Sequence, residues 1–118
     1  MDADKPHINR SALIVQPTER YLAWLHAVDP TSRNLSLDDL RGEAHIYLIP
    51  ECDTEDDLNR VLKRCFDDIF TEELAGWFNI PDVWPDRRTV KMFREWFDVE
   101  FASMITDLSD FPLLHDED

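Results

Sequence analysis

The stretch 45-HIYLIPECDTEDDLNRVLKRCFDDIF-70 decides the fold, because the hydrophobic period changes inside it. His45-Ile46-Tyr47-Leu48-Ile49 is rich in strand formers and stops at Pro50, so it reads as a β-strand. Beyond Thr54 the apolar residues Leu58, Val61, Leu62, Cys65, Phe66, Ile69 and Phe70 recur at i, i+3, i+4 spacing, which is the pattern of a helix with one buried face. Thr54 suits the N-cap, and Glu55, Asp56 and Asp57 put negative charge where the helix dipole favours it. A strand followed by a strongly amphipathic helix implies a sheet with that helix packed over it.

Working outward, Ala12-Leu13-Ile14-Val15 is a short apolar run halted by Pro17, which predicts a first, buried strand. Thr18 can cap a helix whose face is Tyr21, Leu22, Trp24, Leu25 and Val28, ending at Asp29-Pro30. Ser36 and Asp39 have the spacing of a capping box and predict a short helix toward Gly42. On the C-terminal side Thr71 marks a second helix start, with Leu74, Trp77 and Phe78 on one side. Pro81 and Pro85 bracket an irregular Asp82-Val83-Trp84, and Asp86 can cap a further helix bearing Val90, Phe93, Trp96 and Phe97. Alternation from Val99 to Leu108 predicts a third strand. The expected architecture is α+β, a small sheet of about three strands covered by helices in the order β-α-β-α-α-β. Residues 1–10 read as a flexible lead-in, 11–109 as a single α+β domain, and 110–118 as an acidic tail.

The 118 residues carry 26 Asp and Glu against 12 Lys and Arg, a formal net charge of -14. Yet 43% of the chain is hydrophobic and 11% aromatic, enough apolar surface to offset the ordering entropy, so global disorder is excluded. Such an acidic chain lacks the cations that direct binding to nucleic-acid phosphates or anionic lipid requires. Residues 1–10 contain no apolar core of a secretion signal and no run of about 18 apolar residues occurs, so a cytoplasmic protein is expected. The two cysteines, Cys52 and Cys65, form no C-x-x-C pair; Cys52 stands between Glu51 and Asp53, whose charges oppose a reactive thiolate.

Catalytic signatures are lacking. His7, His26, His45 and His115 are scattered, so no metal is expected, and with only Gly42 and Gly76 no phosphate-cradling loop or cofactor fingerprint is available. One arrangement sustains an enzyme or polar-ligand reading: Glu51 and Asp53 follow the second strand, and Asp86 with Arg87 could approach them to form a pocket with a base and an anion clamp. Local explanations are simpler, because Asp86 can be a cap and Glu51 solvated.

The charge excess reads either as a solvated acidic surface that serves solubility or as a docking face. Besides Asp56 and Asp57 at the helix start, Asp67, Asp68, Glu72 and Glu73 fall near one helix-helix junction with few compensating cations, which suits docking of a basic protein and, in the extreme form, mimicry of a nucleic acid's phosphates. Trp84, in a loop between prolines, is either a lid over the core or an exposed anchor. An exposed Trp84 or an open sheet edge would also suit a homo-oligomer. The preferred reading is a noncatalytic interaction or regulatory protein with Asp67, Asp68, Glu72, Glu73 and Trp84 as partner-binding residues.

The segments Ser11-Ala12-Leu13-Ile14-Val15, Asp29-Pro30-Thr31, Pro50-Glu51-Cys52-Asp53 and Trp84-Pro85-Asp86-Arg87 resemble those of a group of short, uncharacterised bacterial proteins. The resemblance runs from about Ile8 to Leu108 and implies a bacterial, cytosolic origin but no mechanism.

Overall fold

The computed structural model describes residues 6–42 and 44–116. Residues 1–5 of the expected lead-in, and Glu117 and Asp118 of the tail, lie outside the described residues. The elements are Ser11–Pro17 (β1), Glu19–Val28 (α1), Leu37–Arg41 (α2), His45–Ile49 (β2), Glu55–Trp77 (α3), Val90–Trp96 (α4) and Phe97–Ala102 (β3). Single 3-10 turns occupy Pro30–Ser32 and Pro81–Val83. The architecture is α+β, with an antiparallel three-stranded sheet in the order β2-β1-β3.

β1 lies at the centre, where its apolar residues are shielded on both faces, whereas Ile46 and Leu48 of the edge strand β2 are exposed. Ser11, Leu13 and Val15 point to the helical side, opposite Ile49, Tyr47 and His45 of β2, and all three are buried. Ala12 and Ile14 point to the other face, opposite Leu48 and Ile46. The Ser11 hydroxyl accepts from the Cys52 amide at 2.9 Å and donates to the Ser103 carbonyl at 3.1 Å, so one buried oxygen holds the chain just beyond β2 and β3. Above the sheet, Phe70 of α3 meets Phe97 at 5.2 Å and Trp96 at 5.4 Å, while Tyr21 of α1 reaches Phe97 at 5.5 Å between ring centroids. Tilted and edge-on aromatic pairs of this kind add to the burial of large apolar groups, and here they join α1, α3, α4 and β3 in one core.

Three boundaries differ from the sequence reading. Thr71 does not start a helix: its hydroxyl donates to the Asp67 carbonyl at 2.9 Å inside a continuous α3, and Leu74 one turn on is fully buried, so the register of the buried face carries through. Asp86 does not cap α4; the Thr89 hydroxyl does, accepting from the Met92 amide at 3.1 Å. β3 begins at Phe97 and ends at Ala102, because β1 offers partners only from Pro17 to Ala12. Past that point the chain pairs elsewhere: Ile8 donates to the Ile105 carbonyl at 2.9 Å, and His7 forms an isolated bridge with Thr106.

The position of the α4 cap is testable by urea denaturation. Thr89→Ala should cost about 1 kcal/mol of stability, whereas Asp86→Ala should stay within about 0.5 kcal/mol of the parent; the reverse ranking would contradict the assigned cap.

Candidate functional site

The four carboxylates singled out near the middle of α3 divide into two pairs, because successive helical residues turn to different sides. Glu73 faces the sheet, and its side chain is only 13% exposed. Its Oε2 accepts from the Tyr47 hydroxyl at 2.5 Å and lies 2.7 Å from His45 Nδ1, while its backbone carbonyl accepts from the Tyr21 hydroxyl at 2.6 Å. His45 and Tyr47 stack with ring centroids 4.0 Å apart, which brings both polar groups to the same oxygen. Burial, and then the Glu73 carboxylate, pushes both phenols well above the ordinary tyrosine value. Asp67 is engaged differently: Arg88 Nε lies 2.6 Å from Asp67 Oδ1, and Arg88 Nη2 lies 3.3 Å from Asp67 Oδ2. This two-point contact, with Arg88 also donating to the Pro85 carbonyl at 2.9 Å, anchors the 84–88 loop on α3.

Asp68 and Glu72 remain. They stand one helical turn apart on the side of α3 toward the β2 edge, and neither side chain makes a hydrogen bond or ion pair among the described residues. With Thr71, Ala75 and Trp84 they line an open groove. Trp84 resolves both sequence alternatives at once. Its indole donates to the Phe78 carbonyl at 2.8 Å and packs on the core, while its remaining surface forms a wall of the groove.

Two further clefts flank the same helix. One, of about 560 Å³, is lined by Leu40, Ala44, His45, Ile46, Glu72, Glu73, Gly76 and Trp77. The other, of about 200 Å³, is lined by Tyr47, Leu48, Ile49, Cys65, Asp68, Ile69 and Glu72. Burial, reinforced by Asp68, pushes the Cys65 thiol up; burial, reinforced by Asp57 and Asp53, does the same for Cys52, and neither thiol is activated.

The residues of the alternative pocket are not brought together. Glu51, Asp53, Asp86 and Arg87 are all exposed, and no hydrogen bond or ion pair joins any two of them among the described residues. The Asp53 amide donates to Asp57 Oδ2 at 3.2 Å, which makes the segment a helix entry. Arg87 has φ of 54°, a left-handed turn position, and presents no fixed anion clamp. Among the described residues no three His, Cys, Asp or Glu side chains cluster as a metal site would need, and no helix is long and apolar enough to cross a membrane.

No protein-family model, curated protein or solved structure matches the chain. The site therefore has to be read from its own geometry. Sequence reasoning missed the His45–Tyr47–Glu73 junction. Their strand spacing does place His45 and Tyr47 on one face, but which carboxylate meets them depends on how α3 lies over the sheet.

Both tyrosines of the chain are held by Glu73, so the folded protein should show no tyrosine ionisation by ultraviolet difference absorbance near the ordinary value of 10.0. A phenol whose ionisation is displaced upward by folding contributes stability that is complete below that value and is lost as pH rises beyond it, because the unfolded chain ionises first. The phenolic signal should therefore appear together with alkaline unfolding. Glu73→Ala, which leaves the Tyr47 hydroxyl without its acceptor, should cost about 2 kcal/mol in urea denaturation, and an unchanged midpoint would refute the junction.

Proposed function

We propose that the protein is a noncatalytic binding protein that docks a basic segment of another protein against the side of α3 carrying Asp68 and Glu72. The observation that supports this most directly is that these two carboxylates are uncompensated at i, i+4. Like charges at that spacing disfavour a helix by a few tenths of a kcal/mol; Arg88 is turned to Asp67, and Arg64, one turn before Asp68, forms no ion pair with it among the described residues. A Lys or Arg from a partner relieves that repulsion and can lay its aliphatic stem along the Trp84 wall of the groove. The net charge of -14 adds long-range attraction that raises the association rate and weakens as salt rises.

The test is binding of a fluorescent peptide of alternating Lys and Thr, followed by anisotropy across a salt series. Affinity should fall as salt rises, and the double variant Asp68→Asn/Glu72→Gln should bind about tenfold more weakly. Glu51→Gln/Asp53→Asn serves as a charge-matched control and should bind like the parent. Equal affinity in the two double variants would overturn the assignment to α3.

A further inference from the structure

We infer that the basic segment binds as an added strand, pairing with the free edge of β2 in the trough between β2 and α3. This rests on the proposed role of Asp68 and Glu72 and specifies the conformation of what they receive.

The sheet order leaves β2 and β3 as edges. Edge strands are ordinarily protected by charges, prolines or bulges, since their unpaired backbone groups will pair with another chain. β3 fits that rule, with Asp98 and Glu100 in its sequence and Arg41 bound to Asp98 at 2.8 Å. β2 is HIYLI, with no Asp, Glu, Lys or Arg and with Pro50 only beyond its end. Every second residue of an antiparallel edge strand turns its N–H and C=O away from the sheet, and among the described residues no backbone group of His45–Ile49 bonds outside the β1 ladder.

The clefts show that this edge is open. His45 and Ile46 line one, and Tyr47, Leu48 and Ile49 line the other. Successive strand residues point to opposite faces, so all of them can border empty space only where that space lies beside the strand. Glu72 borders both clefts, so they lie next to one another and together follow β2, about 17 Å for five extended residues.

The lining also determines the occupant. No Lys or Arg borders the trough, whereas Asp68, Glu72 and Glu73 do. On the helical side an added strand places alternate side chains beside His45 and Tyr47, under Asp68 and Glu72, where cations are favoured. On the other side its side chains lie beside Ile46 and Leu48, which are 57% and 46% exposed and favour aliphatic neighbours. The matching segment therefore alternates basic and β-branched residues. A second copy of this chain fits poorly, since it would bring another Asp68 and Glu72 to the same trough.

The probe is a seven-residue peptide alternating Lys and Val, compared with two versions N-methylated on the Lys amides or on the Val amides. A proline placed in β2 could unfold the sheet, so the peptide backbone carries the change instead. Strand addition predicts that one methylated version loses at least about tenfold in affinity while the other binds like the parent, and that outward-facing amides within His45–Ile49 exchange hydrogen more slowly in the complex. If both methylated versions match the parent and the salt dependence persists, strand addition is wrong and charge docking on α3 stands. Failure of every peptide to bind would remove both. A concentration-dependent dimer in sedimentation, in which those same amides are protected without peptide, would assign the edge to a second copy and overturn the inference.

Discussion

Glu73 is the joint on which the arrangement of helix and sheet depends. Its carboxylate receives Tyr47 and lies against His45 from β2, and its carbonyl receives Tyr21 from α1, so one residue of α3 fixes the helix to two other elements. A carboxylate this shielded from water needs such partners, since an unsatisfied buried charge would neutralise or expel itself. The carboxylate is met by the half-buried Tyr47 and by His45, and the buried Tyr21 adds its hydroxyl at the Glu73 carbonyl. The result is a stiff contact at the C-terminal half of α3, supplemented by the Phe70–Trp96–Phe97 packing beneath it.

Fixing Glu73 inward has a geometric consequence for its neighbours. With that residue turned to the sheet, Asp68 and Glu72 emerge beside the β2 edge, and Asp67 emerges over the 84–88 loop, where Arg88 neutralises it. The acidic excess is thus not a uniform coat. Some of it holds the fold together, some caps helices, as at Asp39 and Asp57, much of it is solvated, and Asp68 and Glu72 stand beside a strand edge in clefts that no Lys or Arg lines. The proposed docking of a basic, extended segment follows from those two carboxylates and from the bare character of β2.

Local signals in the chain were dependable where they act over a few residues. Thr54 caps α3 through the Asp57 amide at 3.1 Å, and Ser36 with Asp39 forms the capping box that their spacing announces. Pro17 and Pro50 stop or bound their strands as proline must. The same logic misled at Thr71 and Asp86. Both residue types suit a cap, but Thr71 lies within a helix whose buried stripe continues to Leu74, and Asp86 stands three residues before Thr89, which caps the first turn of α4. Tertiary burial overrode propensity in the first case, and the left-handed Arg87, invisible in a residue's identity, shifted the helix start in the second.

By itself the sequence determined the α+β class, the strands around residues 12–15 and 45–49, the amphipathic helix between Thr54 and Phe70, and the sign and size of the charge. These follow from hydrophobic period, capping chemistry and composition, all of which are local or additive. Only the tertiary structure decided that β1 lies between β2 and β3, that Asp67 and Glu73 are engaged while Asp68 and Glu72 are not, and that Trp84 is both core and groove wall. Those outcomes join groups far apart in the chain, such as Tyr21 with Glu73 or Asp67 with Arg88. Which acceptor a side chain finds across such distances is settled by how whole elements pack, a constraint that no short window of residues contains.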